Sequence, residues 1–157
     1  MTSSGPDTGG PAVTRLKLTG FRNYARLDLA LDARPVALFG ENGAGKTNLV
    51  EAVSFLGPGR GLRAAGADAV RRRTDEGVDP LWAVYAEAMT PEGPVSLATG
   101  ADPQNPTRRR TKLDGAAATQ TELARLIPML WLTPREDRLW AGPRADRLRF
   151  FDRLVLA

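Results

Sequence analysis

Apolar and polar residues alternate along two stretches near the start of the chain, Leu16–Leu18 and Arg26–Leu31. A period of two predicts strands with one buried face, because successive side chains of a strand point to opposite sides. The segment between them, Gly20–Tyr24, has the composition of a turn. The pattern therefore predicts two half-buried strands joined by a turn.

Two short apolar runs show no such alternation. Pro35–Phe39 ends at Gly40, and Met129–Leu132 lies much later in the chain. Runs of this kind are typical of strands buried on both faces, as in the middle of an α/β sheet. From Thr47 the apolar residues recur at three- and four-residue spacing until Gly57, which predicts a helix.

Turn signals separate further stretches in the second half of the chain. Leu81–Ala88 and Val95–Thr99 flank Pro91–Pro94, which predicts a hairpin, and Lys112–Gly115 indicates a strand that enters another turn. These elements predict an antiparallel β region.

Two more helices are predicted near the end. Thr119 and Glu122 have the spacing of a capping box, which marks the start of a short helix. Pro143 suits the first turn of an amphipathic helix. Because that helix is still running at Ala157, we expect the sequence to be part of a longer protein.

The composition excludes several kinds of chemistry. Cys and His are both absent, which excludes disulfides, thiolate or Ser-His-Asp catalysis, and histidine zinc sites. No apolar run approaches the roughly 18 residues that span a bilayer, so we do not expect a membrane protein. The absence of cysteine fits a cytoplasmic location. Residues 1–12 are rich in Ser, Gly, Pro and Thr and predict a disordered tail. Residues 13–157 are then the folded domain.

The charge is mildly basic and unevenly distributed. The net charge is +4, and much of it lies in Arg71–Arg73 and Arg108–Arg110, with Lys112 close by. Such clusters are consistent with nucleic-acid contact. Solvated loops give the same picture, so charge alone leaves both interpretations open.

The run Gly40–Thr47 matches the phosphate-binding pattern G-x-x-x-x-G-K-[ST] in full. Its glycines let the backbone wrap around a phosphate, and the following helix adds the partial positive charge of its N-terminus. Lys46 is placed to reach the β- and γ-phosphates, and the Thr47 hydroxyl suits Mg²⁺. The predicted nucleotide-binding residues are Gly40, Glu41, Asn42, Gly43, Ala44, Gly45, Lys46 and Thr47, with Thr47 also the predicted metal ligand.

The carboxylates that ATP hydrolysis requires are harder to find. Glu136 and Asp137 follow Met129–Leu132, but Pro134 interrupts the connection. No Leu-Ser-Gly-Gly-Gln-type segment occurs. We therefore expect the chain to bind a nucleotide without hydrolysing it efficiently.

Six segments together resemble those of one protein family in their order and spacing. They are Leu18–Tyr24, Gly43–Ala52, Leu56–Arg63, Trp131–Pro134, Gly142–Arg147 and Arg149–Asp152. The chain resembles, from about Val13 onward, the N-terminal portion of the RecF family, bacterial recombination mediators among the ABC-type ATPases related to SMC proteins. In that family the signature, Walker B and dimer-completing elements lie further on than this chain reaches.

The resemblance implies an α/β P-loop NTPase fold of the ABC/SMC-like head type, here incomplete, with an antiparallel β subregion. It implies ATP and Mg²⁺ as ligands, an ATP-dependent homodimer, and binding to single-stranded or gapped DNA and to single-strand/double-strand junctions. RecR and RecO are the implied partners, and replication restart and the SOS response are the implied processes.

The resemblance also assigns roles to particular residues. Arg22 and Asn23 match a segment that contacts phosphate in SMC-type heads, and Gly59–Arg63 is implied to touch nucleotide or DNA. The glutamine that senses Mg²⁺ in many such ATPases has no match near Trp131–Pro134. Gln120 is the nearest glutamine, so the sensing role stays unassigned.

Other interpretations remain open. A small-molecule P-loop kinase or another P-loop NTPase would use the same loop, with spaced arginines in Arg144–Arg153 as a lid. Asp146 and Asp152 alternate with those arginines, which favours surface ion pairs instead. A GTPase is disfavoured because Asn-Lys-x-Asp is absent. In a third interpretation, the chain is only a folding or assembly unit.

Overall fold

The computed structural model describes residues 10–134 and 141–156. The strands are β1 (Ala12–Phe21), β2 (Tyr24–Ala30), β3 (Arg73–Thr74), β4 (Gly77–Val78), β5 (Ala83–Thr90), β6 (Gly93–Asp102), β7 (Asn105–Leu113) and β8 (Ala116–Ala118). The helices are α1 (Lys46–Ser54), α2 (Gln120–Leu126) and α3 (Arg144–Leu156), with a 3-10 turn at Asp68–Val70. Six strands form one antiparallel sheet in the order β2-β1-β5-β6-β7-β8, and β3 and β4 form a separate pair.

The two alternating stretches near the start form β1 and β2, as predicted. The turn between them is short, because Phe21 already pairs with Tyr24. Leu16 lies opposite Leu29 in the register of the two strands. Facing residues in an antiparallel pair share one side of the sheet, so this pairing puts the apolar residues of both strands on the same face.

The predicted hairpin and capping box are also confirmed. β5 and β6 are joined by a turn at Pro91 and Glu92, and β7 ends at the predicted turn after Leu113. The Thr119 hydroxyl accepts the backbone N–H of Glu122, whose carboxylate accepts the backbone N–H of Thr119. The hydrogen bonds that this carboxylate accepts from the Thr119 backbone N–H and hydroxyl lower the pKa of Glu122. The final helix begins at Arg144, next to the predicted proline.

The two predicted fully buried strands are wrong. Pro35–Phe39 and Met129–Leu132 lie outside all helices and strands, and Phe39 and Leu132 are 94% and 67% exposed. A strand buried on both faces needs paired neighbours and a covering layer on each side. The described residues place no strand beside either run. Pro35–Phe39 is therefore left facing solvent, while Met129 of the second run packs against the edge of the core.

The hydrophobic core lies on one face of the six-stranded sheet. α1 contributes Leu49 and Ala52, and α2 contributes Leu123. The other core residues come from the sheet and from the segments after α1 and α2: Leu16, Leu18, Phe21, Phe55, Leu56, Val70, Trp82, Val84, Ala86, Ala88, Leu97, Ala101 and Ile127. The core therefore attaches the helix that follows the phosphate loop to the antiparallel sheet.

Three aromatic rings form the centre of this core. Phe21, Phe55 and Trp82 contact one another edge to face, with ring centroids 5.3 to 5.8 Å apart. The Trp82 indole N–H donates to the carbonyl of Ala67 at 2.6 Å. The cluster joins β1, the residue after α1 and the start of β5, so it fixes the distance between sheet and helix.

Replacing Phe21 by Ala is expected to lower the free energy of unfolding by about 3–5 kcal/mol, because it opens a cavity at a fully buried site. The matched control is Phe39→Ala, which removes the same atoms from a ring that is 94% exposed and should change stability by less than about 0.5 kcal/mol. Urea unfolding of both variants measures the difference. Equal effects would contradict this packing.

Candidate nucleotide-binding site

The phosphate loop lies at the N-terminus of α1 in a backbone conformation that depends on glycine. Gly40, Gly43 and Gly45 have φ angles of 143°, 87° and 101°, which residues with a Cβ rarely adopt. No side chain caps α1 in the described part of the chain. The first amides of the helix are therefore available to a phosphate, as the sequence motif predicts.

Lys46 and Thr47 lie at the edge of a cleft of about 530 Å³. The Lys46 ammonium donates to the carbonyls of Gly40 and Glu41 at 2.6 and 2.7 Å, which closes the loop on itself. The cleft is lined by Leu38, Lys46, Thr47, Val50, Leu62, Arg63, Leu132, Thr133 and Pro134. It combines an apolar wall with the two side chains that the motif assigns to phosphate and metal.

A buried carboxylate organises the charged groups around this loop. Glu51 of α1 is fully buried and accepts two hydrogen bonds from Arg22, at 2.9 and 2.7 Å. Arg63 donates to the same carboxylate at 3.1 Å. Arg22 also donates to the carbonyl of Ala69. One carboxylate therefore holds two guanidinium groups from separate segments next to the phosphate loop.

A second set of contacts connects this ion pair to the loop backbone. Asn48 donates to Asn23 at 2.8 Å and accepts from Arg63 at 2.9 Å. A Cβ at Gly45 would lie only 2.6 Å from the Asn23 side-chain nitrogen and 2.8 Å from the Tyr24 hydroxyl. Gly45 is thus required both for its φ angle and for the close approach of the β1–β2 turn.

The structure brings the predicted site residues together, with one refinement. Arg22 and Asn23 lie beside the phosphate loop. The Arg22 guanidinium donates two hydrogen bonds to Glu51, and its contact with phosphate stays a prediction. Arg63, from the predicted glycine-rich loop, lines the cleft. Sequence reasoning did not identify Glu51, because a single carboxylate on a short helix gives no local signal that it is buried.

An arginine of the six-stranded sheet holds the loop that follows α1. Arg109 of β7 donates to the carbonyls of Gly59 and Gly57, at 2.9 and 3.0 Å. Its guanidinium lies 5.4 Å from the centre of the Phe55 ring. Burial lowers the pKa of Arg109 to about 10, so the group stays charged at neutral pH. Gln120, the glutamine without an assigned role, accepts the backbone N–H of Gly59 at 3.0 Å.

The two arginine clusters are largely engaged within the fold. Arg71 donates to Asp68 and to the carbonyl of Asp79, and Arg72 lies 3.8 Å from the Asp79 carboxylate. Arg110 pairs with Asp102 at 2.8 Å. Together with the half-buried Arg109, these contacts explain part of both clusters without nucleic acid.

The described residues contain no group of three or more acidic side chains that could hold a metal ion. None of the described residues that line the cleft is an Asp or Glu. The candidates Glu136 and Asp137 lie outside the described residues. No helix within the described ranges is long and apolar enough to cross a membrane.

Comparison with known proteins gives consistent similarities. Residues 15–62 match the family described as the AAA domain. The DNA replication and repair protein RecF of Rhizobium meliloti (strain 1021) is 53% identical over 148 residues, which cover 92% of this chain and 38% of that protein. The curated relatives are thus matched over less than two fifths of their length, 38% for the first three.

Solved structures share the fold. The recombination mediator protein RecF-ATPrS in the RecFOR pathway superposes with a TM-score of 0.78 at 18% identity, over 94% of this chain and 38% of that one. A structure concerning ATP-driven dimerization and DNA-stimulated activation of SMC ATPases gives 0.70 at 20% identity, over 91% of this chain and 99% of that one. These similarities confirm the predicted fold class, a partial SMC-like ATPase head with an antiparallel sheet.

Replacing Glu51 by Gln should lower the free energy of unfolding by about 2–3 kcal/mol, because two guanidinium groups lose a buried partner. The matched control is Asp32→Asn, which breaks an exposed ion pair with Arg34 and should change stability very little. Urea unfolding compares the two variants. A Glu51→Gln protein as stable as the wild type would refute the organising role of this carboxylate.

Proposed function

This chain belongs to the RecF family, whose N-terminal portion it matches, and we propose that it binds ATP with Mg²⁺ on the loop Gly40–Thr47. The observation that carries the proposal is the position of Lys46 and Thr47 at the edge of the cleft, directly after a glycine-rich loop. A triphosphate needs convergent amides, one cation and one hydroxyl ligand for Mg²⁺. The loop offers all three.

The chemistry of the donor set fits these ligands. The amides at the start of α1 and the Lys46 ammonium are hydrogen-bond donors for phosphate oxygens. The hydroxyl of Thr47, which is exposed, is the kind of hard oxygen that Mg²⁺ prefers. When bound beside Thr47, Mg²⁺ would supply positive charge that offsets the negative charge of the phosphates. The apolar wall of the cleft offers a surface for the remainder of the nucleotide.

We further propose that the chain is the N-terminal part of a nucleotide-binding head in a DNA replication and repair protein. Two observations support this: the curated relatives are longer, and Val36 and Phe39 beside the phosphate loop are exposed apolar residues. Apolar surface of this kind is usually covered in a complete protein. On this proposal residues 13–157 are one unit, and efficient hydrolysis needs groups that the described cleft lacks.

The finer parts of the proposal follow from the family. They are binding to single-stranded and gapped DNA, an ATP-dependent homodimer, RecR and RecO as partners, and action in the cytoplasm during replication restart and the SOS response. Exposed arginines such as Arg73 supply part of the positive charge that a DNA backbone requires. The small-molecule kinase alternative has no supporting observation among the described residues.

Binding of a fluorescent ATP analogue in the presence of Mg²⁺ tests the proposed site. The wild-type chain should bind saturably, and Lys46→Ala should bind at least about tenfold more weakly, because a charged hydrogen-bond donor is lost. Thr47→Ala should weaken binding only when Mg²⁺ is present. Lys17→Ala, a half-buried lysine on β1 outside the described lining of the cleft, serves as the charge-matched control. Equal binding by the Lys46 and Lys17 variants would rule out this loop as the site.

Gapped DNA provides a separate test of the proposed function in repair. The wild-type chain should bind gapped DNA more tightly than blunt duplex DNA, and its affinity for the ATP analogue should rise when gapped DNA is present, because coupling between two ligands is reciprocal. Affinity for DNA should fall steeply with salt. Nucleotide binding that ignores every DNA would refute the DNA part and leave the nucleotide site intact.

A further inference from the structure

We propose that Arg109 and Gln120 are positioning residues for the nucleotide cleft and act through the loop Gly57–Arg63. The proposal rests on nucleotide binding at the cleft beside Lys46. Neither residue is among the described residues that line that cleft. Both lie on the antiparallel side of the fold, Arg109 on β7 and Gln120 at the start of α2.

The two side chains hold the N-terminal part of the loop through three hydrogen bonds. The Arg109 fork donates to the carbonyls of Gly57 and Gly59, and Gln120 accepts the N–H of Gly59. Gly59 therefore has both its N–H and its carbonyl bound by side chains from the sheet subregion. A residue held in this way has little freedom to change its φ and ψ angles.

The C-terminal part of the same loop carries side chains into the cleft. The backbone N–H of Leu62 donates to the hydroxyl of buried Ser54 at 2.7 Å. A Cβ at Gly61 would lie 2.6 Å from the Phe55 ring, so the loop turns sharply against the core at that point. Leu62 and Arg63 then line the cleft beside Lys46.

The energetics of Arg109 point to the same role. Arg109 is a half-buried cation, and its Nε is buried without a hydrogen-bond partner in the described residues. Burying a charge and leaving a donor unpaired both oppose folding. An apolar side chain of similar length would fill the same space over Phe55 at a lower desolvation penalty. The guanidinium is therefore better explained by what it holds, the carbonyls of the loop, than by stability.

Arg109→Met tests the proposal, because it keeps the apolar contact with Phe55 and removes both hydrogen bonds. We expect an unfolding temperature close to that of the wild type and faster amide hydrogen exchange at Gly59. Binding of the ATP analogue should be about tenfold weaker, the size of effect that is typical when a contact that orients a binding residue is lost. The matched control is Arg108→Met on the opposite face of β7, which should leave exchange and binding unchanged.

Two more variants separate positioning from a general loss of structure. Gln120→Ala leaves the core intact and should also raise exchange at Gly59 and weaken nucleotide binding. Arg109→Lys keeps a charged donor and should restore part of the affinity. In an Arg63→Ala background, Arg109→Met should weaken binding less than it does alone, because both changes act on the same loop.

The outcomes distinguish this proposal from the nucleotide site itself. In one outcome, nucleotide binding depends on Lys46, but Arg109→Met and Gln120→Ala both bind nucleotide like the wild type. That outcome overturns the positioning role and leaves the nucleotide site in place. Additive effects of Arg109→Met and Arg63→Ala would also overturn it. A wild-type chain that binds no nucleotide overturns the site and the positioning role together.

Discussion

The arrangement of the site depends on one buried carboxylate. Glu51 of α1 is fully buried, where an apolar side chain is more usual, and its carboxylate binds both Arg22 and Arg63. A buried charge without partners is strongly unfavourable, so the β1–β2 turn and the loop after α1 must both approach the helix. The phosphate loop begins that helix, so the two guanidinium groups are placed next to it by the same constraint.

Local sequence patterns predicted the parts of the fold that local physics controls. β1, β2, β5 and β6 follow from alternation and turn residues, and α2 begins where the capping box of Thr119 and Glu122 places it. Pro35–Phe39 and Met129–Leu132 were predicted wrongly because a strand is defined by its neighbours as well as its own residues. Among the described residues, neither run has a partner strand, and no pattern within the run reveals this.

The site was predictable to a similar extent. Gly40–Thr47 carries its own signature, and the position of Arg22 and Asn23 beside it agrees with the family resemblance. Contacts between distant segments carry no such signature. Arg109 lies 50 residues from the carbonyl of Gly59 that it binds. In the run of three arginines, nothing distinguishes Arg109, which packs over Phe55, from its exposed neighbours Arg108 and Arg110. Side-chain direction along β7 makes that distinction.

The hydrogen bonds of Lys46 to Gly40 and Glu41 have a consequence for how the loop meets a ligand. An ammonium has three N–H donors, and these two carbonyls accept two of them, which leaves one donor for a phosphate oxygen. The lysine can therefore hold the loop in shape and contact a phosphate at the same time. A loop that is already held in its binding conformation loses less conformational entropy when the nucleotide binds.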